Sequence, residues 1–237
     1  MTHANETQRL MAVHEFLQLD YDKSREFQDI VELAAELCNT PVALITLLDK
    51  DINWVKAKSG FPADAMPRET SFCQYTIQKD DITIIPDTLL DERLDKNPLV
   101  HEAPHVRFYA GAPLTIKSGM RLGSLCLFHA IPHEINESQQ RILTALARQV
   151  TFLMELELSQ KVLQAQVKAI EEQNESLRSI AHIQSHEVRQ PLTSIMGLIN
   201  LIKEDDYKAD KEKLMMIEEA ATHLDSKIHA IVEETEK

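Results

Sequence analysis

Glycine is scarce in this 237-residue chain, with five in all, and tryptophan occurs once. So few glycines leave no material for a phosphate-cradling loop and suit a helix-rich protein. Cysteine is nearly as rare. Cys38, Cys73 and Cys126 stand far apart in apolar surroundings, without zinc spacing or a disulfide framework, which is a reduced, cytosolic pattern. Positive charge is short: 25 Lys and Arg against 38 Asp and Glu give a formal net charge of −13. That balance argues against a nucleic-acid partner, whose phosphates call for clustered Lys and Arg, and disfavours an anionic membrane surface. The longest apolar runs, such as Val42–Leu48, are strand-sized and far below the ~20 residues that cross a bilayer. Met1-Thr2-His3-Ala4-Asn5 has neither a basic region nor an apolar core, so no signal peptide is expected and the protein is placed in the cytoplasm. With 43% hydrophobic residues, the chain can hold one globular domain plus extended helices.

What is present divides by periodicity. Residues 1–25 are polar apart from Val13, Phe16, Leu17 and Leu19. From Glu26 to Cys38, apolar Phe27, Ile30, Val31, Ala34 and Leu37 follow a helical period that Asn39-Thr40-Pro41 ends. Val42–Asp49 and Ile52–Ser59 are β-rich runs joined by Asp49-Lys50-Asp51, a hairpin signal. A short helix is expected over Ser71–Gln78, capped by Thr70 or Ser71, then a strand at Thr83–Ile85 and an irregular connection from Pro86 to Pro104. Two more strands, Val106–Leu114 and Leu122–Phe128, flank a turn in which Gly119 suits a positive φ. Asn136 caps a new helix, with Ile135 placed to pack toward Gln140.

From Phe152 the pattern becomes heptad. Leu156, Leu163, Ile170 and Leu177 recur every seven residues, with Gln160, Val167, Asn174 and Ala181 at the companion positions. No single helix can bury such a seam, so a parallel dimeric coiled coil is expected. Ile195, Leu198, Ile199 and Ile202 continue an apolar face, and Lys203–Ala209 breaks it. Asp210 then caps a second helix carrying Leu214, Ile217, Ala221, Leu224, Ile228 and Ile231. Two such hairpins make a four-helix bundle.

Inside this helical region lies Ser185-His186-Glu187-Val188-Arg189-Gln190-Pro191-Leu192. Imidazole is mostly neutral at cellular pH and can act as a nucleophile. A neighbouring carboxylate, here Glu187, can fix its tautomer, and Arg189 supplies a positive charge for phosphoryl oxygens. Pro191 has no N–H for the Glu187 carbonyl and costs a regular helix ~3 kcal/mol, so a kink is expected there. A histidine on a helix surface is by itself ordinary; the whole box is more specific.

Two resemblances follow. Trp54–Gly60, Pro67–Cys73, Phe108–Leu114 and Leu122–Cys126 occur in the order of recurring stretches in GAF sensory domains. The resemblance implies a six-stranded antiparallel sheet with a small-molecule pocket on one face, within an α+β domain over residues 1–150. No Cys-His pair of the phytochrome type is present, Cys73 and Cys126 are expected to be buried packing residues, and the GAF ligand is unknown. His101, His105, His129 and His133 form no recognised metal set. The box resembles the phosphoacceptor box of histidine kinases, implying a coiled-coil signalling helix over 151–180 and a dimerisation and phosphotransfer hairpin over 181–237. It implies that His186 accepts a phosphoryl group, oriented by Glu187, and passes it to the aspartate of a response-regulator receiver domain. The resemblance also gives Gln190 a place where the family usually has Thr or Asn, which leaves a phosphatase role open.

The chain carries no Asp-x-Gly-x-Gly stretch and has only Gly197 after the box. ATP and Mg are therefore expected on a separate or missing ATP-binding domain, acting in trans, and not in this chain. Whether the sequence is a fragment or a natural kinase-like protein stays open. So do two other readings: a non-catalytic dimeric adaptor whose histidine is unused, and a ligand-controlled GAF dimerisation switch.

Overall fold

The computed structural model describes residues 3–21 and 25–235. The elements run α1 (His3–Leu17), α2 (Arg25–Leu37), β1 (Val42–Leu48), β2 (Ile52–Ser59), β3 (Ala65–Pro67) and α3 (Cys73–Thr76). There follow β4 (Thr83–Ile85), α4 (Pro98–His101), β5 (Phe108–Thr115), β6 (Arg121–His129), α5 (Glu137–Glu204) and α6 (Lys211–Thr235). The chain divides into two compact units, Met1–Val162 and Leu163–Lys237, and the division falls inside α5.

The first unit is built on one antiparallel sheet with strand order β3-β2-β1-β6-β5-β4. Central strands are covered on both sides, which is why β1 reads as an apolar run broken only by Thr46. Alternation then sorts the side chains. Ala43, Ile45 and Leu47 of β1, Phe108, Ala110 and Ala112 of β5, and Leu125 and Leu127 of β6 belong to one core cluster. That cluster is completed by Val13 and Phe16 of α1, Phe27, Val31 and Ala34 of α2, and Leu143, Val150 and Met154 of α5. Each large apolar side chain fully withdrawn from water there contributes roughly 1.5–3 kcal/mol. The alternate residues Leu44, Leu48, Tyr109, Cys126 and Phe128 join Phe72, Cys73 and Ile77 in a second cluster on the other face.

Local signals account for the ends of these elements. α2 stops at Asn39, whose φ is +53°; Thr40 N–H bonds the Ala35 carbonyl at 2.9 Å and Asn39 N–H the Glu36 carbonyl at 3.2 Å, a Schellman closure. Gly119 has the expected positive φ, +82°. At the start of α5, Gln139 N–H donates to Asn136 Oδ1 at 3.0 Å while Asn136 N–H donates to Gln139 Oε1 at 2.9 Å. This reciprocal capping box extends the single cap expected from Asn136. Ile135 is buried, and Gln140 reaches it by donating its amide to the Ile135 carbonyl at 3.0 Å.

α1 is held by a charge. Arg9 is 1% exposed, donates to the Leu48 carbonyl at 2.6 Å and makes two 2.8 Å bonds to the Glu6 carboxylate. Arg68 donates to the same carboxylate at 2.8 Å and to the Asp49 carbonyl at 2.9 Å. The short helix expected over Ser71–Gln78 is only Cys73–Thr76. Its N-cap position is Phe72, which makes no side-chain cap bond, so neither Thr70 nor Ser71 caps it, although Ser71 Oγ accepts from Cys73 N–H at 3.2 Å.

In the second unit, α5 is continuous through Pro191. Asp210 Oδ1 accepts from Lys213 N–H at 2.7 Å and opens α6 as expected. On α6 the half-buried positions are Lys213, Ile217, Ala220, Leu224, Lys227 and Ile231, a 3–4 spacing that marks one covered face. Leu214 and Ile228 on the neighbouring face are 53% and 44% exposed, and on α5 Leu163, Ile170 and Leu177 are 60%, 56% and 56% exposed. Half of the apolar pattern is thus uncovered in a single chain.

Candidate functional site

Successive side chains on a helix diverge by about 100°, so His186 and Glu187 leave α5 on different sides. His186 is exposed. Glu187 is half-buried, and its Oε2 accepts from Nζ of Lys227 on α6 at 3.2 Å. Arg189 and Gln190 are exposed, whereas Pro191 is buried. The hydroxyl of Thr193 donates to the Arg189 carbonyl at 2.8 Å and that of Ser194 to the Gln190 carbonyl at 3.2 Å. Such back-bonding just after a proline softens the helix against bending. The structure therefore brings Glu187 to Lys227, and it does not bring Glu187, Arg189 or Gln190 to the His186 ring. Lys227 was missed by the sequence reading. Its signal was a cation at an apolar-period position of α6, between Leu224 and Ile231.

A second constellation lies on the sheet face of the first unit away from α1 and α2. Asn53 Nδ2 donates to Ser71 Oγ at 2.8 Å and to Cys73 Sγ at 3.4 Å. Thr46 Oγ1 lies 3.3 Å from Cys73 Sγ and 3.4 Å from Ser124 Oγ. Cys73 Sγ is 3.9 Å from Cys126 Sγ, and the Cys126 thiol donates to the Leu44 carbonyl at 3.6 Å. All of these residues are buried. The two cysteines are buried within the second apolar cluster as expected, but polar groups of Thr46 and Asn53 also reach the Cys73 sulfur. Alternation along β1, β2 and β6 delivers Thr46, Asn53 and Ser124 to one spot, a convergence that spacing in the chain does not display. The Cys126 sulfur in contact with it, aided by the hydroxyls of Ser124, Ser71 and Thr46, holds the Cys73 pKa below the usual thiol range against the effect of burial. Burial pushes Cys126 the opposite way, well above it.

Beside this cluster, the Tyr109 hydroxyl lies 2.6 Å from Thr76 Oγ1. Gly111 makes room for that pair, since a Cβ there would come within 2.2 Å of the Tyr109 hydroxyl oxygen. Phe72, Tyr109 and Phe128 pack with ring centroids 5.2–5.8 Å apart and fill the middle of the face. A cavity of about 460 Å³ remains toward one end, lined by Val42, Leu44, Phe61, Met66, Val106 and Phe128 among others. It is apolar, with His129 at its margin. Burial, with help from His133, lowers the His129 pKa. His101 Nε2 contacts the Asp95 carbonyl and His133 Nε2 the Cys38 carbonyl.

Residues 22–153 match the family model described as the GAF domain. This chain belongs to the GAF domain family. The resembling stretches of this GAF domain fall on β2 and its end, on the segment from β3 into α3, on β5, and on β6. The chain is 41% identical over 106 residues to a cyclic di-GMP phosphodiesterase of Pseudomonas aeruginosa. That match covers 45% of this chain and only 18% of the relative's length. Among solved structures, the blue-light-absorbing form of the Thermosynechococcus elongatus PixJ GAF domain aligns at a TM-score of 0.51 and 19% identity. It covers 65% of this chain and 97% of that one, a likeness of fold alone. The GAF domain of an Acinetobacter phosphoenolpyruvate-protein phosphotransferase aligns at 0.48 and 17% identity, covering 65% and 95%.

Proposed function

We propose that this chain is a GAF-containing sensor of two-component signalling, in which His186 is a phosphoacceptor. The observation that carries the reading is the environment of the box. His186 is open to a partner on α5, while its neighbours Glu187 and Pro191 are turned into covered positions. A neutral ring nitrogen attacks the terminal phosphorus of ATP, ADP leaves, and the phosphoramidate so formed is transferred to an aspartate of a receiver domain. Arg189 lies one turn along and is placed to pair with phosphoryl oxygens. Gln190 carries an amide that can position water for dephosphorylation of the receiver.

Two copies complete the hairpin. The exposed heptad residues Leu163, Ile170 and Leu177 on α5, with Leu214 and Ile228 on α6, form the apolar surface that a second copy covers. ATP and Mg belong to a kinase domain acting in trans. The continuity of α5 from the GAF unit past His186 supplies a route along which a change in the sensor reaches the box.

One observation favours a second reading, a dimeric adaptor with an idle histidine: Glu187 is engaged by Lys227 and not by His186. Incubation with a kinase that carries an ATP-binding domain, and with labelled ATP, separates the two. Label on the wild type that disappears in His186→Gln supports phosphotransfer, and an unlabelled wild type supports the adaptor.

A further inference from the structure

The GAF sheet face carries a feature that phosphotransfer does not use: two free thiols in contact, enclosed by hydroxyls and an amide. Cys73 begins α3 and Cys126 lies on β6, so fifty-three positions in the chain separate two sulfurs 3.9 Å apart. Both are free and both are 0% exposed. The third cysteine, Cys38, is buried in the other core cluster, among α2 and the opposite sheet face. Buried cysteines usually serve as small apolar fillers. These two pack in an apolar cluster but do more than fill it, because Thr46, Asn53, Ser71 and Ser124 add groups able to donate to sulfur or to its oxygen adducts. Asn53 Oδ1 is buried and without a hydrogen-bond partner, a cost of about 1–3 kcal/mol that an apolar filler site has no reason to carry.

We propose that Cys73 and Cys126 are a thiol-oxidation site of this GAF domain, closing reversibly to a disulfide on exposure to hydroperoxides. The thiolate of Cys73 attacks the distal oxygen of hydrogen peroxide. The O–O bond breaks, hydroxide leaves and takes up a proton as water, and Cys73 becomes a sulfenic acid. The thiol of Cys126 then loses its proton and attacks that sulfur, forming the S–S bond and releasing a second water. In all, two thiols lose two protons and two electrons, and one peroxide becomes two waters. The order of attack follows from the groups around Cys73: Asn53 Nδ2 donates to its sulfur at 3.4 Å and Thr46 Oγ1 lies 3.3 Å away, whereas the Cys126 thiol is turned to the Leu44 carbonyl. The hydroxyls of Thr46 and Ser124 lie where a sulfenic oxygen can be held.

Access requires an opening of the segment around α3, a helix of four residues whose first N–H donates to Ser71 Oγ. Forming a bond of about 2.05 Å from a contact of 3.9 Å draws α3 toward β6. Phe72, beside Cys73, is stacked on Tyr109 and packed on Phe128, so the shift passes into the aromatic layer of the sheet. That oxidation is the input of the sensor rests on the reading in Proposed function; the bond itself does not.

The test uses the full chain, reduced and then exposed to hydrogen peroxide in modest excess. The expected products are a mass lower by two hydrogens and one free thiol remaining after denaturation, on Cys38. A tryptic peptide should join Cys73 to Cys126, and dithiothreitol should restore all three thiols. Cys38→Ser should form the same bond, which removes any ambiguity about the third sulfur. Three thiols surviving a large peroxide excess, a bridge involving Cys38, or sulfinic acid on one cysteine without a bridge would each overturn the proposal. Phosphoryl acceptance by His186 is scored separately on the reduced protein, so failure of one result leaves the other standing.

Discussion

The Glu6 carboxylate should make the GAF unit lose stability steeply in acid, and Glu6→Gln should remove that dependence. Glu6 is held by Arg9 first and by Arg68, which together bring its pKa from the ordinary 4.5 down to about 2. A carboxylate whose pKa is depressed on folding stabilises the fold fully above its unfolded value and loses that contribution as pH falls toward the folded one. The gap between 4.5 and about 2, at ~1.36 kcal/mol for each pH step, sets an upper figure of about 3.4 kcal/mol. The Glu6 side chain is 24% exposed, and water there screens the interaction to about 2 kcal/mol. Gln has the shape of the protonated acid, so Glu6→Gln should cost about 2 kcal/mol at pH 7 and approach zero near pH 2. Trp54 is the only tryptophan and lies in this unit, near Asp49, so its fluorescence reports the unit's urea unfolding. A deficit that stays the same at pH 7 and pH 3, or one below about 0.5 kcal/mol at pH 7, would refute the reasoning.

Two further outcomes are expected. Asn136→Ala removes the accepting half of the capping box and should lower the urea midpoint by the equivalent of about 1 kcal/mol, with Asn136→Asp restoring most of it. Because Glu187 is held by Lys227 and away from the His186 ring, Glu187→Gln should leave the rate of phosphoryl acceptance by His186 within about threefold, against the ~10²-fold loss expected of a general base. Lys227→Met, which frees Glu187, should leave that rate undiminished, and single-turnover labelling checks both.

Much of the GAF sheet was legible because its strands carry period-two alternation or unbroken apolar runs between turn residues. The β1–β2 hairpin, β4, β5 and β6 fall where the sequence puts them, within a residue or two. β3 did not show, since three residues ending in Pro67 on a sheet edge carry no pattern to read. α1 was hidden by Arg9, a buried cation interrupting the apolar face that would announce a helix. The capping box at Asn136 and Gln139 was present as residue types, but only the cap was read. Side-chain convergence was the harder loss. Thr46, Asn53, Cys73 and Cys126 come from four separate segments, and their meeting depends on strand register, including the irregularity between Ile45 and Thr46. The partner of Glu187 depends likewise on the register of α6 against α5.

The position of the phosphoryl group tests the central claim most directly. After incubation with a kinase bearing an ATP-binding domain, peptide mapping at neutral or alkaline pH should find one acid-labile phosphoryl group, on His186. A phosphoryl group on another of the ten histidines, or an acid-stable one on serine or threonine, would contradict the account.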